Sequence, residues 1–545
     1  MQGGSKNLAA LPLVLLFGIP LIASLVYALI SLFDREGWSA LFLHPQIWPA
    51  LFLSLFTGLS AAILSLGLAL LIVAGLYAST WWPRLSSMVG SMLAVPHLAM
   101  ALGIAFLIMP SGLIARALAT LVTGWQIPPP WISNHDPYGL SLIAVLVIKE
   151  TPFLIWIFAS ILNREDVSRN LGGQRAAALS LGHSLGSIWA RIFLPQILPK
   201  MIWPLVIVFV YAATVVDVAL VIGPTQPQTL ANVVWADIND ADVFNTARGA
   251  AGAWFLTLAV ATVAFIIWVL ARTLLSRRSW LAAGPKNKIA FGSAFAVGKL
   301  KFSALTFVYI IVALTLLLLS FASLWPFPNL FPETLNIGAW WRVVDNPAAL
   351  LTSFTLAVST SGTALVLILT WMESQPARRD QFVLLLSALA LGLPALLLSL
   401  GQYRAFLNFN LTGSAMGLFL AHFIPVTAYM FIVLCGPYRS FDSRWRASAS
   451  GLMVGYWRYM RQIKVPLLKA PLLAACAIGF AVSFGQYVPA QLIAAGRYST
   501  LPMEAVTMTS GTNRPLTAAF ALLLMVPPLV AFVTAALFGK SRWSA

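Results

Sequence analysis

Apolar runs long enough to cross a bilayer recur along this chain, separated by shorter polar stretches. A spanning helix needs about 20 apolar residues. On that criterion the pattern predicts helices at 8–32, 50–77, 88–110, 140–162, 201–223, 250–275, 304–326, 349–372, 381–402, 415–436, 470–493 and 516–539. The run after Lys6 is too long for a signal-peptide core and reads as an uncleaved first span. The expected fold class is an all-α polytopic membrane protein with about 12 transmembrane helices in two homologous six-helix halves. The first half is 1–276, a basic linker follows at 277–303, and the second half is 304–545.

Two polar, basic islands interrupt the pattern at equivalent places. The first reads RAAALSLGHSLGSIWARIFLPQILP, from Arg175 to Pro199. Its small residues Ala176, Ala177 and Ala178 would let another surface approach closely. Gly182 can end a helix in the left-handed conformation that glycine enters cheaply. Ser184 can cap a second short helix, and Pro195 should bend or stop it. The second island reads RASASGLMVGYWRYMRQIKVPLLKAP. With Pro466 laid on Pro195, Ala447 and Ala449 fall on Ala176 and Ala178, and Ile463 falls on Ile192. The duplication continues elsewhere. Pro96 and Gly103 share their spacing with Pro394 and Gly401; Lys149 and Pro152 correspond to His422 and Pro425.

The first island resembles the EAA loop of binding-protein-dependent ABC importer permeases, whose pattern is E-A-A, three residues, G, nine residues, I-x-L-P. Ala176, Ala177, Ala178, Gly182, Ile192, Leu194 and Pro195 stand on that register. Two departures are visible. Ala176 replaces the frequent glutamate, and Met453 occupies the glycine position of the second copy, with Gly451 and Gly455 flanking it. Over nearly its whole length the chain looks like two fused permease units, as in ferric-iron and thiamine importers and a Ynj-type branch. The resemblance implies the type I importer permease fold. It also implies that each island is a coupling helix seated in a groove of a separate ABC ATPase subunit, two copies per chain. A periplasmic substrate-binding protein would deliver the solute.

Composition sharpens the reading. The chain is 60% hydrophobic and 9% charged, against about 25% charged in soluble domains. The net charge of +17 does not suggest nucleic acid, because the basic residues are scattered between apolar spans. They concentrate in 163–200, 277–301 and 437–469, which the positive-inside rule makes cytoplasmic. Both islands and both termini then lie on the cytoplasmic side of a bacterial inner membrane. The segment around Ile127–Trp131 and His135-Asp136 reads as a periplasmic cap, either passive or touching a delivery protein. Cys435 and Cys476 read as packing residues. No phosphate loop G-x-x-x-x-G-K-[ST] occurs, and the five histidines lack metal-ligand spacing. No enzyme activity, cofactor or metal is expected in this chain; ATP and its magnesium belong to the partner.

Polar residues inside the predicted spans carry the remaining signal, since each is costly in lipid unless it faces a cavity or a partner. Lys149, Glu150, Asp217, His422 and Gln486 are the candidates for the translocation path, with His97 beside Pro96 as a weaker one. The structural alternative makes Lys149 an interhelix clamp on Glu150 or Asp217, and the histidines hydrogen-bonded packing residues. Pro152 should free a backbone carbonyl just before Lys149-Glu150. A functional alternative from another class is a twelve-helix secondary transporter driven by an ion gradient through Glu150 or Asp217. A scaffold or insertase is a third reading.

Overall fold

The computed structural model describes residues 2–77, 79–276 and 298–539. Among these, ten helices are long and apolar enough to cross a membrane. Two further bent pairs make twelve if each pair is one span. The helices in chain order are α1 (Leu8–Ser31), α2 (Ile47–Leu76), α3 (Trp82–Ala94), α4 (His97–Ile108), α5 (Leu140–Leu162), α6 (Glu165–Ser180), α7 (Leu194–Thr214), α8 (Asp217–Ile222), α9 (Leu230–Ile238) and α10 (Val243–Ser276). Then follow α11 (Gly298–Phe321), α12 (Ala348–Ser374), α13 (Asp380–Gly392), α14 (Ala395–Asn408), α15 (Ala415–Arg439), α16 (Arg444–Gly451), α17 (Lys469–Phe484), α18 (Val488–Ala494), α19 (Leu501–Thr509) and α20 (Arg514–Phe538). This is a polytopic, all-helical membrane protein. Most of the stretch read as linker lies outside the described residues, and α11 begins at Gly298, inside the range assigned to it.

Four spans expected in one piece are broken, two of them at a proline. The span at 88–110 divides at Val95-Pro96, where both residues are extended and the ring of Pro96 offers no N–H. The one at 381–402 divides at Leu393-Pro394, and its two pieces meet at 106°. The spans at 201–223 and 470–493 break at Val215-Val216 and at Gly485–Tyr487. The residues just before α8 and α18 share one conformation: Val216 has φ −102° and ψ −59°, Tyr487 has φ −104° and ψ −60°.

The two matched glycines mark the closest helix crossings. A Cβ on Gly103 of α4 would lie 2.3 Å from Val312 Cγ1 of α11. A Cβ on Gly401 of α14 would lie 2.1 Å from the Ser24 carbonyl oxygen of α1. Thus α1, from the start of the chain, packs on the broken helix of the second part, and α11, which opens the second part, packs on that of the first. Paired side-chain bonds repeat the correspondence. Ser54 accepts from the Leu230 N–H and Ser353 from the Leu501 N–H, each at 2.8 Å. At the end away from the islands, Asp136 caps α5 through the N–H groups of Leu140 and Ser141. His135 contacts the carbonyls of Ile222 and Gly223. Those two residues of the presumed cap therefore anchor the fold.

Candidate functional site: two matched islands and a braced helix break

The islands have one backbone design. Helix α6 closes on Gly182, whose φ is +80°, with N–H bonds from Gly182 to the Leu179 carbonyl and from His183 to the Ala178 carbonyl, both 3.0 Å. Helix α16 closes on Met453, φ +56°, with bonds from Met453 to Ser450 and from Val454 to Ala449 at 3.0 and 2.9 Å. Met453 is therefore the turn residue, and the flanking glycines are not. The next residues cap a short helix. Ser184 does so with its hydroxyl, accepting from the Ser187 N–H at 3.3 Å; Gly455 takes the same extended conformation. Each short helix runs into a π-turn, Trp189–Phe193 and Met460–Lys464, just before Pro195 and Pro466. The wider turn accommodates a ring that cannot donate to the preceding turn. The left-handed residue, the extended residue before the short helix, the π-turn and the proline each recur 271 positions later, as at 182 and 453 or 195 and 466. The hydroxyl cap of Ser184 has no counterpart in Gly455.

At the surface of the islands, Ala178 and Ala449 are buried, whereas Ala176, Ala177, Ala447, Gly182 and Met453 are exposed. Ile192, Leu194 and Ile463 are half-buried; Pro195 is buried and Pro466 exposed. No described residue lies within 4 Å of a Cβ built on Gly182. Met453 is 94% exposed, beside exposed Leu452 and Trp457; Leu179, Leu181 and Leu185 are exposed large apolar residues of the first island. The Asp166 carboxyl before Val167 is held below its usual range by the Arg164 side chain, and that of Asp442 by the Arg444 backbone N–H and guanidinium.

In mid-span, Lys149 and Glu150 brace the broken helix from opposite sides of its break. Pro96 has no N–H for the carbonyl four residues earlier, that of Met92. The Lys149 ammonium donates to it at 3.0 Å and approaches the Leu93 carbonyl at 3.4 Å. A cation thus sits at the carbonyl end of α3, where the helix dipole favours it. Glu150 bonds at 2.8 Å to His97 Nε2, in the first turn of α4, where an anion is favoured. Lys149 and Glu150 are both buried, 3% and 6% exposed. The sequence alternative of a Lys149 clamp on Glu150 or Asp217 does not form, because the ammonium is directed at backbone carbonyls. Pro152 frees the Ile148 carbonyl, as its position implies, and the Tyr309 hydroxyl of α11 donates to it at 3.3 Å.

Asp217 opens α8 and is half-buried, with no ion-pair or side-chain hydrogen-bond partner among the described residues. The His97 and Tyr211 rings lie 4.6 Å apart; Tyr487 packs on Trp235 at 5.5 Å. Tyr429 of α15 is 42% exposed in mid-helix. His422 and Gln486 form a separate group. His422 Nδ1 meets Ser483 Oγ at 3.1 Å, and Gln486 donates to the His422 carbonyl at 3.2 Å. His422 Nε2 and Gln486 Oε1 are buried without partners among the described residues. The structure therefore brings Glu150, His97 and Tyr211 into contact, and α8, which Asp217 opens, packs on α4. Sequence reading missed the tyrosines, whose only signal was a phenol inside an apolar run.

A chain of broken apolar spans, with buried polar side chains at a break and two matched polar islands, has the form of a membrane permease. Over 524 residues it is 30% identical to the inner membrane ABC transporter permease protein YnjC of Escherichia coli (strain K12), covering 96% of this chain and 94% of that protein. The chain belongs to the ABC transporter permeases. No family model matches it, and no solved structure does.

Proposed function

We propose that the chain is the membrane-spanning permease subunit of an ABC importer of the bacterial inner membrane. Two copies of a separate ATPase dock on the islands, at Ala176–Pro195 and Ala447–Pro466. Residues 1–276 and 304–545 act as the two halves, with the linker 277–303 and both termini in the cytoplasm. ATP and magnesium are bound by the ATPase, and a periplasmic binding protein presents a small solute to the opposite face. The observation that carries this reading is the repetition of one turn at constant offset. A left-handed residue, a short helix, a π-turn and a proline recur in both islands, each exposing small and apolar residues.

The solute path runs past Asp217, Glu150 and the three phenols, with Gln486 and His422 on the side of the second half. Lys149 spends its charge on backbone carbonyls. The unpaired carboxylate of Asp217, among aromatic rings, therefore favours a cationic solute over an anionic one. The test is capture of the detergent-extracted chain from its native membranes, with mass spectrometry of its companions. An ATPase at two copies per chain, lost in Gly182→Arg while the chain itself stays in the membrane, is the expected result. A chain that runs alone and moves solute on a proton gradient without ATP would overturn the reading and make Asp217 or Glu150 an ion-coupling site.

A further inference from the structure

The two islands share a backbone but present different surfaces. At the constant offset Met453 falls on Gly182 and Trp457 on Gly186. The second island therefore carries two large apolar side chains where the first carries none. Met453 is 94% exposed and Trp457 82%. The cations differ in the same sense. Exposed Arg444, Arg458 and Arg461 stand where the first island has Gly173, Ser187 and Ala190.

The short helix Tyr456–Tyr459 fixes which way this surface points. The Tyr456 hydroxyl donates at 2.9 Å to Glu373, in the last turn of α12, and the same carboxylate pairs with Lys464. Tyr459 is buried. Residues three apart share a helix face, so the face of Tyr456 and Tyr459 is turned to the bundle. Trp457 lies about 100° round from Tyr456 on the side away from Tyr459. Its ring meets that of Tyr456 edge-on at 5.5 Å, and the Arg446 guanidinium stands 5.9 Å from the centre of the Tyr456 ring. Met453 and Trp457 thus form an apolar knob among arginines, directed away from the membrane helices.

The turn does not need the knob, because the first island makes it with glycine. An apolar patch rimmed by polar residues marks a contact with another molecule. The arginines call for an acidic rim on that molecule. It must also accept the bare turn at Gly182, since the two islands share one backbone. An ATPase subunit docked on both islands meets these conditions.

We propose that Met453 and Trp457 anchor the ATPase by entering an apolar, acid-rimmed pocket on its subunit, a pocket left unfilled when the same subunit sits on the first island. Large side chains desolvated at the centre of an interface carry most of its binding energy, and an unfilled pocket forfeits those contacts. The two copies are therefore held unequally, and the second island fills first. This rests on the reading that both islands dock an ATPase. Capture of the complex senses both contacts at once, because two linked contacts hold a dimer more tightly than either alone; occupancy of each island is read by cross-linking.

The test uses the full chain in nanodiscs, with Cys435 and Cys476 replaced by alanine. A single cysteine carrying a photo-cross-linker is placed at Ala177 or at the matching Ser448, both exposed. The ATPase captured with the chain is added without nucleotide at half an equivalent, and each yield is normalised to that with ATPase in excess. The yield from Ser448 should exceed that from Ala177 at least tenfold, the ratio that one hot-spot side chain supplies. Met453→Gly keeps the turn as Gly182 does, so folding is not at stake. Met453→Gly and Trp457→Ala should each lower the Ser448 yield at least fivefold, and M453G/W457A should bring the two yields level. Equal yields in the parent chain, or a preference for Ala177, overturn the proposal. So does a preference that survives the double variant, which would leave the knob to lipid headgroups. No cross-link from either position of a folded chain removes the docking reading and this proposal together; two equal cross-links remove the proposal alone.

Discussion

Replacing Lys149 by methionine tests whether the buried ammonium is a brace or a path residue. Methionine keeps most of the apolar stem and removes the charge. The direct loss is one charge-assisted bond at 3.0 Å to the Met92 carbonyl, with a weaker approach to Leu93 at 3.4 Å. A hydrogen bond to a charged group contributes about 1.5–3 kcal/mol, and a carbonyl left buried without a donor costs about 1–3 kcal/mol. Part of this is offset because the variant no longer buries an ammonium. Glu150 keeps its bond to His97, so no second charge is orphaned. The expected net loss is about 2–4 kcal/mol. Equilibrium unfolding of the purified chain in mixed SDS micelles reads that loss, and solute uptake is measured alongside. A loss below about 1 kcal/mol together with abolished uptake would refute the brace and place Lys149 in the path.

Three further outcomes are expected. Asp217→Asn should lower uptake at least tenfold with ATPase association unchanged, because no other side chain bonds its carboxylate; normal uptake would make Asp217 structural. Met453→Gly should raise stability, because a left-handed L-residue costs about 1–2 kcal/mol and a side chain 94% exposed gives little packing in return; an unfolding midpoint at or below the parent's would contradict this. Gly401→Val should separate α14 from α1 and lower the yield of folded chain in gel filtration, since even a Cβ there lies 2.1 Å from the Ser24 carbonyl oxygen; a wild-type profile would disprove the close crossing.

The spans, the islands and the matched Pro–Gly pairs were legible because each depends on local pattern: apolar run length, a helix-ending residue, a fixed spacing. Ser184 as a cap and Pro152 as the source of a free carbonyl were legible for the same reason. The second turn was ambiguous because residue preference favoured Gly451 or Gly455. The backbone instead keeps the register of the first island and places Met453 in the strained conformation. The breaks at Pro96 and Pro394 were not legible in spans read as continuous, since a proline alone does not say whether its neighbour also leaves the helix. The partners of Lys149 lie 56 and 57 residues away on another helix, and Glu373 and Lys464 are separated by 91. No spacing rule reaches that far.

The crossing of α1 over α14 carries a consequence for how the protein is made. Ser24 leaves the ribosome early, but Gly401, against which it packs, follows about 380 residues later. At roughly 5–20 residues per second, α1 waits about 20–75 seconds in the bilayer for its partner. During that interval Ser24 of α1 lacks the helix it packs against. Translation stopped before α14 therefore leaves an inserted but unclosed product. The order of synthesis makes the oldest helix among the last to find its place.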